Sequence, residues 1–140
     1  MSILVCGGAG YIGAHVVRLL RQRGDRVVVV DDLSTSNAAR IGDTPLVRLD
    51  VATDEARSVL SNLMVDEDVT AVIHFSARKQ VGESVARPAW YYQQNIGGMA
   101  NVLAAMEDAG VDQMIFSSSA AVYGIPTAEV VTEDMAGHPI

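Results

Sequence analysis

The sequence predicts an α/β protein whose core is a doubly wound parallel sheet of five strands in the order 3-2-1-4-5. Three observations predict it. Short apolar runs alternate with stretches of helical periodicity along the whole chain. The runs are continuous, as in Val27-Val28-Val29-Val30, which suits strands buried on both faces. A glycine cluster, Gly7-Gly8-Ala9-Gly10-Tyr11-Ile12-Gly13, lies between the first run and the first helix. Right-handed crossovers then give the strand order.

The elements follow in sequence. Ser2–Cys6 reads as a buried strand. Over 11–23 the apolar positions Ile12, Val16, Leu19 and Leu20 recur at helical spacing, and Gly24 supplies a stop. Arg26–Asp31 is a valine-rich second strand. Residues 32–45 are polar, with Gly42 and Pro45, and read as loop. A third strand covers 46–49, and Ala56, Val59, Leu60, Leu63 and Met64 mark one face of a helix over 54–64. A fourth strand covers 70–75. Pro88 suits the first turn of a long helix, whose apolar stripe Tyr92, Ile96, Met99, Leu103 and Met106 is expected in the core, with Gly110 as its cap. A fifth strand covers 113–117, followed by a serine cluster and a loop. The chain ends at His138-Pro139-Ile140 in an expected loop, where such a sheet usually adds a further strand, so the ending reads as a cut. Residues 1–140 are expected to be one domain, incomplete at its C-terminus.

Composition narrows the function. With 49% hydrophobic and 19% charged residues the chain is globular, and folding would bury roughly two-thirds of its unfolded surface. No apolar run is long enough to span a bilayer, and residues 1–6 lack the basic flank of a signal peptide. A net charge of −7 argues against nucleic acid and anionic membranes as partners, though main-chain N–H groups can still hold a diphosphate. Cys6 is alone, which excludes an internal disulfide and a zinc cluster and points to a reducing compartment, the cytoplasm.

The glycine cluster is the main candidate for chemistry. Gly7 allows a tight turn, Gly10 lets a pyrophosphate approach the main chain, and Gly13 lets the helix pack closely. Asp31 ends the second strand 18 positions after Gly13, where a carboxylate accepts hydrogen bonds from an adenosine ribose. It repels a 2′-phosphate, and Asp32 adds a second negative charge, so NAD is the expected cofactor rather than NADP. No metal is expected. These features define a Rossmann-type nucleotide fold.

Several runs resemble one family in particular. The Gly-Gly-x-Gly-x-x-Gly spacing is similar to that of extended short-chain dehydrogenase/reductases. Gly7 to His15, Asp31-Asp32-Leu33-Ser34-Thr35-Ser36, the run from Val72 to Ser84, Asn95-Ile96-Gly97-Gly98, and Phe116 to Gly124 resemble UDP-glucose 4-epimerases in order along the whole chain. The resemblance implies that Tyr11 and Ile12 offer N–H groups to the pyrophosphate, and that Asp31, Asp32, Leu33, Ser34, Thr35 and Ser36 surround the adenosine ribose. It implies Asp50 and Val51 beside the adenine. Phe75, Ser76, Ala77 and Lys79, with Gln94 or Asn95, would line the path to the nicotinamide. Ser117 ends the fifth strand, and Ser119 matches the serine that hydrogen-bonds the sugar's reacting 4-hydroxyl. Cys6, Ser76-Ala77 and Gln94 depart from the family's usual residues. Plainer readings stand beside these: Lys79 as a solvated charge, the serines as a polar strand end, and His15 and His74 as buried structural histidines.

Such epimerases take the 4-hydroxyl proton with a tyrosine whose pKa is lowered by a lysine four residues later, on the same helix face. Lys79 is the sole lysine here, and the positions four beyond Tyr11, Tyr91, Tyr92 and Tyr123 are His15, Asn95, Ile96 and Thr127. The pair is expected shortly after residue 140. The chain is therefore expected to bind NAD with little turnover, while the parent takes a UDP-sugar and forms a homo-oligomer. Self-association of this chain is expected through the fifth strand's edge or the 88–109 helix. Other readings are a 4,6-dehydratase or decarboxylase of the same superfamily, or a stand-alone NAD(H) sensor. Dehydratases usually carry an Asp-Glu pair near the active-site serine, which Ser117-Ser118-Ser119-Ala120 does not offer.

Overall fold

A computed structural model describes residues 1–125 and 129–135. The expected loop at His138-Pro139-Ile140 lies outside the described residues. The sheet has five parallel strands in the order β3-β2-β1-β4-β5, as the sequence predicted. They are β1 (Ser2–Cys6), β2 (Arg26–Asp31), β3 (Leu46–Arg48), β4 (Ala71–His74) and β5 (Met114–Phe116). The helices are α1 (Tyr11–Gln22), α2 (Ala56–Asp66), α3 (Val81–Ala86), α4 (Pro88–Tyr92) and α5 (Gly98–Ala109).

Strand residues alternate between two cores because successive side chains point to opposite faces. Leu4, Cys6, Val28, Val30 and Val72 face α2 and α5, meeting Leu60, Met64, Val102 and Met106. Ile3, Val5, Val27, Val29 and Ile73 face α1 through Val17 and Leu20. Each fully buried side chain of this size stabilises the fold by about 1.5–3 kcal/mol. The valine run of β2 is buried on both faces, as read from the sequence.

The structure corrects four expectations. The buried face of α1 is Gly13, Val17 and Leu20, while Ile12 and Leu19 are exposed. Gly13 has no side chain, so the helix approaches the sheet along that face. The expected core stripe of the long helix is also displaced. Tyr92, Ile96 and Leu103 are 72%, 63% and 50% exposed, whereas Met106 is buried as expected, joined by Tyr91, Gly98, Val102 and Ala105. A wider helical turn, Gln93–Gly97, joins α4 to α5, and such turns shift the register of one face against the next. The segment 32–45 is not all loop. Asn37 Oδ1 accepts from Ala39 N–H at 2.9 Å and caps a 3-10 turn, Ala38–Ile41, that buries Ile41. Finally, α3 was not expected at all, and none of its residues is buried. Pro88 does open α4, and Gly110, at φ +70°, closes α5 in the left-handed conformation.

Candidate functional site

The carboxyl ends of the parallel strands lie along one edge of the sheet, and the winding reverses between β1 and β4. Nucleotides bind doubly wound sheets at this kind of switch point. Gly7 sits there at φ +75° and donates its N–H to the Val30 carbonyl at 2.7 Å. A Cβ on Gly7 would lie 2.8 Å from the Ser76 nitrogen and 2.9 Å from the Phe75 carbonyl carbon. A Cβ on Gly13 would lie 2.3 Å from the Gly7 oxygen, so the helix presses on the loop itself. At Gly10 the only such contact among the described residues is Gly7 O at 3.2 Å, which leaves the main chain there open. No side chain caps α1 and no acidic residue occupies its first turn. Its leading N–H groups and partial positive charge suit a diphosphate, so the residues fit the pyrophosphate of a dinucleotide.

Asp31 is 6% exposed and its carboxylate is turned to the glycine loop. It accepts from Ala9 N–H at 3.0 Å, Leu33 N–H at 2.9 Å and the Ser36 hydroxyl at 2.6 Å. Leu33 has φ 59°, unusual for a residue with a side chain. Thr35 is exposed. Asp32 accepts from Ser34 N–H at 2.9 Å, the Ser34 hydroxyl at 2.7 Å and Arg78 Nη2 at 2.5 Å. Burial works to raise its pKa, but these partners outweigh it and hold the carboxyl below the usual range. The negative charge expected of Asp32 is thus paired with a cation.

Arg78 falls within the Phe75 to Lys79 run expected along the nicotinamide path, but sequence reasoning gave its side chain no part of its own. Its Nη1 donates to the Ser34 hydroxyl at 2.5 Å and its Nε to Gln94 Oε1 at 3.0 Å. Gln94 in turn donates to Asp50 Oδ2 at 3.0 Å, which links the loops after β2, β3 and β4. Asn95 Oδ1 accepts from Arg78 N–H at 2.8 Å, and Asn95 Nδ2 donates to the Arg78 carbonyl at 3.0 Å. Gln94 and Asn95 both come from the wide turn, a feature that often marks functional sites. Val51 is buried beside Asp50, Phe75 and Ser76 are half-buried beside Gly7, and Ala77 is exposed. Lys79 is exposed and takes part in no ion pair among the described residues. Ser117 N–H donates to the His74 carbonyl at 3.1 Å. Ser119 Oγ accepts from Ala121 N–H at 3.2 Å and caps a 3-10 turn, Ala120–Tyr123.

Cys6 and His74 stand side by side in the sheet under this crevice. Burial, then the Asp31 charge, pushes the Cys6 thiol up to about 12. Burial pushes His74 below its ordinary value, with the Ser76 main chain opposing, and its Nδ1 has no hydrogen-bond partner among the described residues. His74 is buried as expected. His15 is not: it is exposed, edge-on to the Tyr11 ring at 5.1 Å.

Residues 3–140 match the model of the NAD dependent epimerase/dehydratase family. The chain belongs to that family. The epimerase/dehydratase family depends on NAD, in agreement with the cofactor expected from Asp31. Over 140 residues the chain is 44% identical to UDP-glucose 4-epimerase of Lactobacillus helveticus, covering all of this chain and 42% of that protein. It is 42% identical over 139 residues to UDP-glucose 4-epimerase of Bacillus subtilis, covering 96% of this chain and 41% of the relative. Among solved structures it resembles UDP-glucose 4-epimerase of Brucella ovis in complex with NAD. There the TM-score is 0.87 at 40% identity, over 99% of this chain and 42% of that one. The chain therefore spans about two-fifths of the length of these epimerase relatives. No helix among the described residues is long and apolar enough to cross a membrane.

Proposed function

We propose that the chain is the NAD-binding portion of a UDP-glucose 4-epimerase, a cytoplasmic protein whose whole length interconverts UDP-glucose and UDP-galactose. The observation that best supports this reading is the meeting of Gly7 with Phe75 and Ser76 at the switch point, with Asp31 turned to the same loop. Tyr11 and Ile12 would offer N–H groups to the pyrophosphate. The loop from Asp31 to Ser36 would hold the adenosine ribose, with Asp50 and Val51 at the adenine. Phe75, Ser76, Ala77 and Lys79 would line the route to the nicotinamide, on the side that Asn95 fixes. The chemistry supplied by a bound NAD would be that of a reversible hydride acceptor for the sugar. Ser119 uses one lone pair on Ala121 N–H and keeps its own O–H to donate, which suits it to a sugar hydroxyl.

Turnover by these 140 residues should be slight, because the sequence holds no tyrosine with a lysine four places on. General-base catalysis alone contributes roughly 10²–10⁴-fold. We expect NAD to raise the thermal midpoint of the chain, since a ligand bound only to the native state stabilises it. A coupled assay with UDP-galactose should register no more than trace UDP-glucose. No shift with NAD at any concentration would refute the binding reading, and full turnover would refute the catalytic one.

The same reading includes self-association with a second copy. Tyr92, Ile96 and Leu103 form an exposed apolar side of the 88–109 segment, and Ile115 and Phe116 are exposed on β5, the outer strand beyond β4. Unpaired strand edges and apolar faces favour such pairing. Sedimentation showing a monomer at high concentration would count against it.

A further inference from the structure

We infer that Arg78 is a latch over the adenosine end of the crevice, tying the loop after β4 to the loop after β2 and slowing the departure of a bound dinucleotide. The inference rests on the NAD reading and adds to it a positioning residue. β2 and β4 flank β1, so the Arg78 side chain spans the strand from which the glycine loop springs. Its three donors reach three acceptors on two segments: Asp32 and Ser34 on one side, Gln94 on the other. The planar fork of arginine can do this and the point charge of lysine cannot.

The two ends of the bridge are held differently. The near end is fixed, because Asn95 grips both main-chain groups of Arg78. The far end is a short turn that contains Leu33 at φ 59° and no buried residue from Asp32 to Ser36. That turn also supplies Leu33 N–H and the Ser36 hydroxyl to Asp31. Holding the turn through Arg78 therefore holds the ribose-facing carboxylate. The side chain of Arg78 is 18% exposed and that of Asp32 27%. This is sheltered enough for charge-assisted bonds to matter and wet enough for them to break and re-form.

The test is release of NADH from the chain, followed by fluorescence after mixing with excess NAD, with ADP-ribose affinity measured in parallel. Arg78→Met should release NADH about tenfold faster, the effect of losing hydrogen bonds to a charged group. ADP-ribose, which lacks the nicotinamide, should weaken by the same factor. Arg78→Lys should recover only part of the loss. Asp32→Asn should act in the same direction, and the double variant should release NADH no faster than Arg78→Met. If Arg78→Met fails to fold, Arg78→Lys and Arg78→Gln carry the same reading. Unchanged release in variants that still bind NADH would overturn the latch and leave the NAD reading intact. A loss confined to NADH and absent for ADP-ribose would also overturn it, as would additive effects in the double variant. Wild-type protein that binds no NADH would remove both.

Discussion

Asn95 holds Arg78 by both of its main-chain groups, accepting from the amide at 2.8 Å and donating to the carbonyl at 3.0 Å. The paired bonds fix the loop after β4 on the wide turn between α4 and α5, so two segments 17 residues apart behave as one. Asn95→Ala should lower stability by about 1–2 kcal/mol. Asn95→Asp should lower it less, since the acceptor remains and only the donor is lost. Urea unfolding of the two variants checks the order, and equal losses would show that the acceptor carries nothing.

The glycine loop gives a contrast between two neighbouring positions. Gly13→Ala must displace main chain 2.3 Å away and should cost about 1–3 kcal/mol. Gly10→Ala meets only one oxygen at 3.2 Å, so stability should hardly change while NAD binding is lost. Thermal midpoints measured with and without NAD separate the two effects. A Gly10→Ala variant with an unchanged NAD response would refute the assignment of Gly10 to the pyrophosphate.

Cys6 should be chemically silent in the native protein. Burial and the nearby Asp31 push its thiol up to about 12, and the thiolate is the reactive form. Labelling at pH 8 should therefore wait for unfolding and follow the denaturation curve. Rapid labelling without denaturant would show that β1 opens locally.

His74 should make stability fall in mild acid. Its folded pKa lies below the ordinary 6.5, so the unfolded chain takes up a proton first as pH falls. The contribution is fully present above 6.5 and drains away as pH falls through the folded value, at no more than about 1.4 kcal/mol per pH unit. Unfolding midpoints from pH 7.5 to 5 should drop more for the wild type than for His74→Gln. Parallel curves would assign the acid loss to other groups.

The sequence by itself determined the parallel sheet, its strand order, the glycine loop and Asp31. These depend on short-range patterns: a valine run long enough to be buried twice, glycines at fixed spacing, and a carboxylate at a strand's end. Tertiary structure decided which helix face is buried and what closes the crevice. The 88–109 segment carries apolar residues on more than one side, so periodicity alone allowed Ile96-Leu103 as readily as Val102-Ala105. Packing against α2 and the sheet selected the second set. Arg78 shows no local signal, because its acceptors Asp32, Ser34 and Gln94 lie 46, 44 and 16 positions away along the chain. Only folding brings a guanidinium and those oxygens within hydrogen-bond reach.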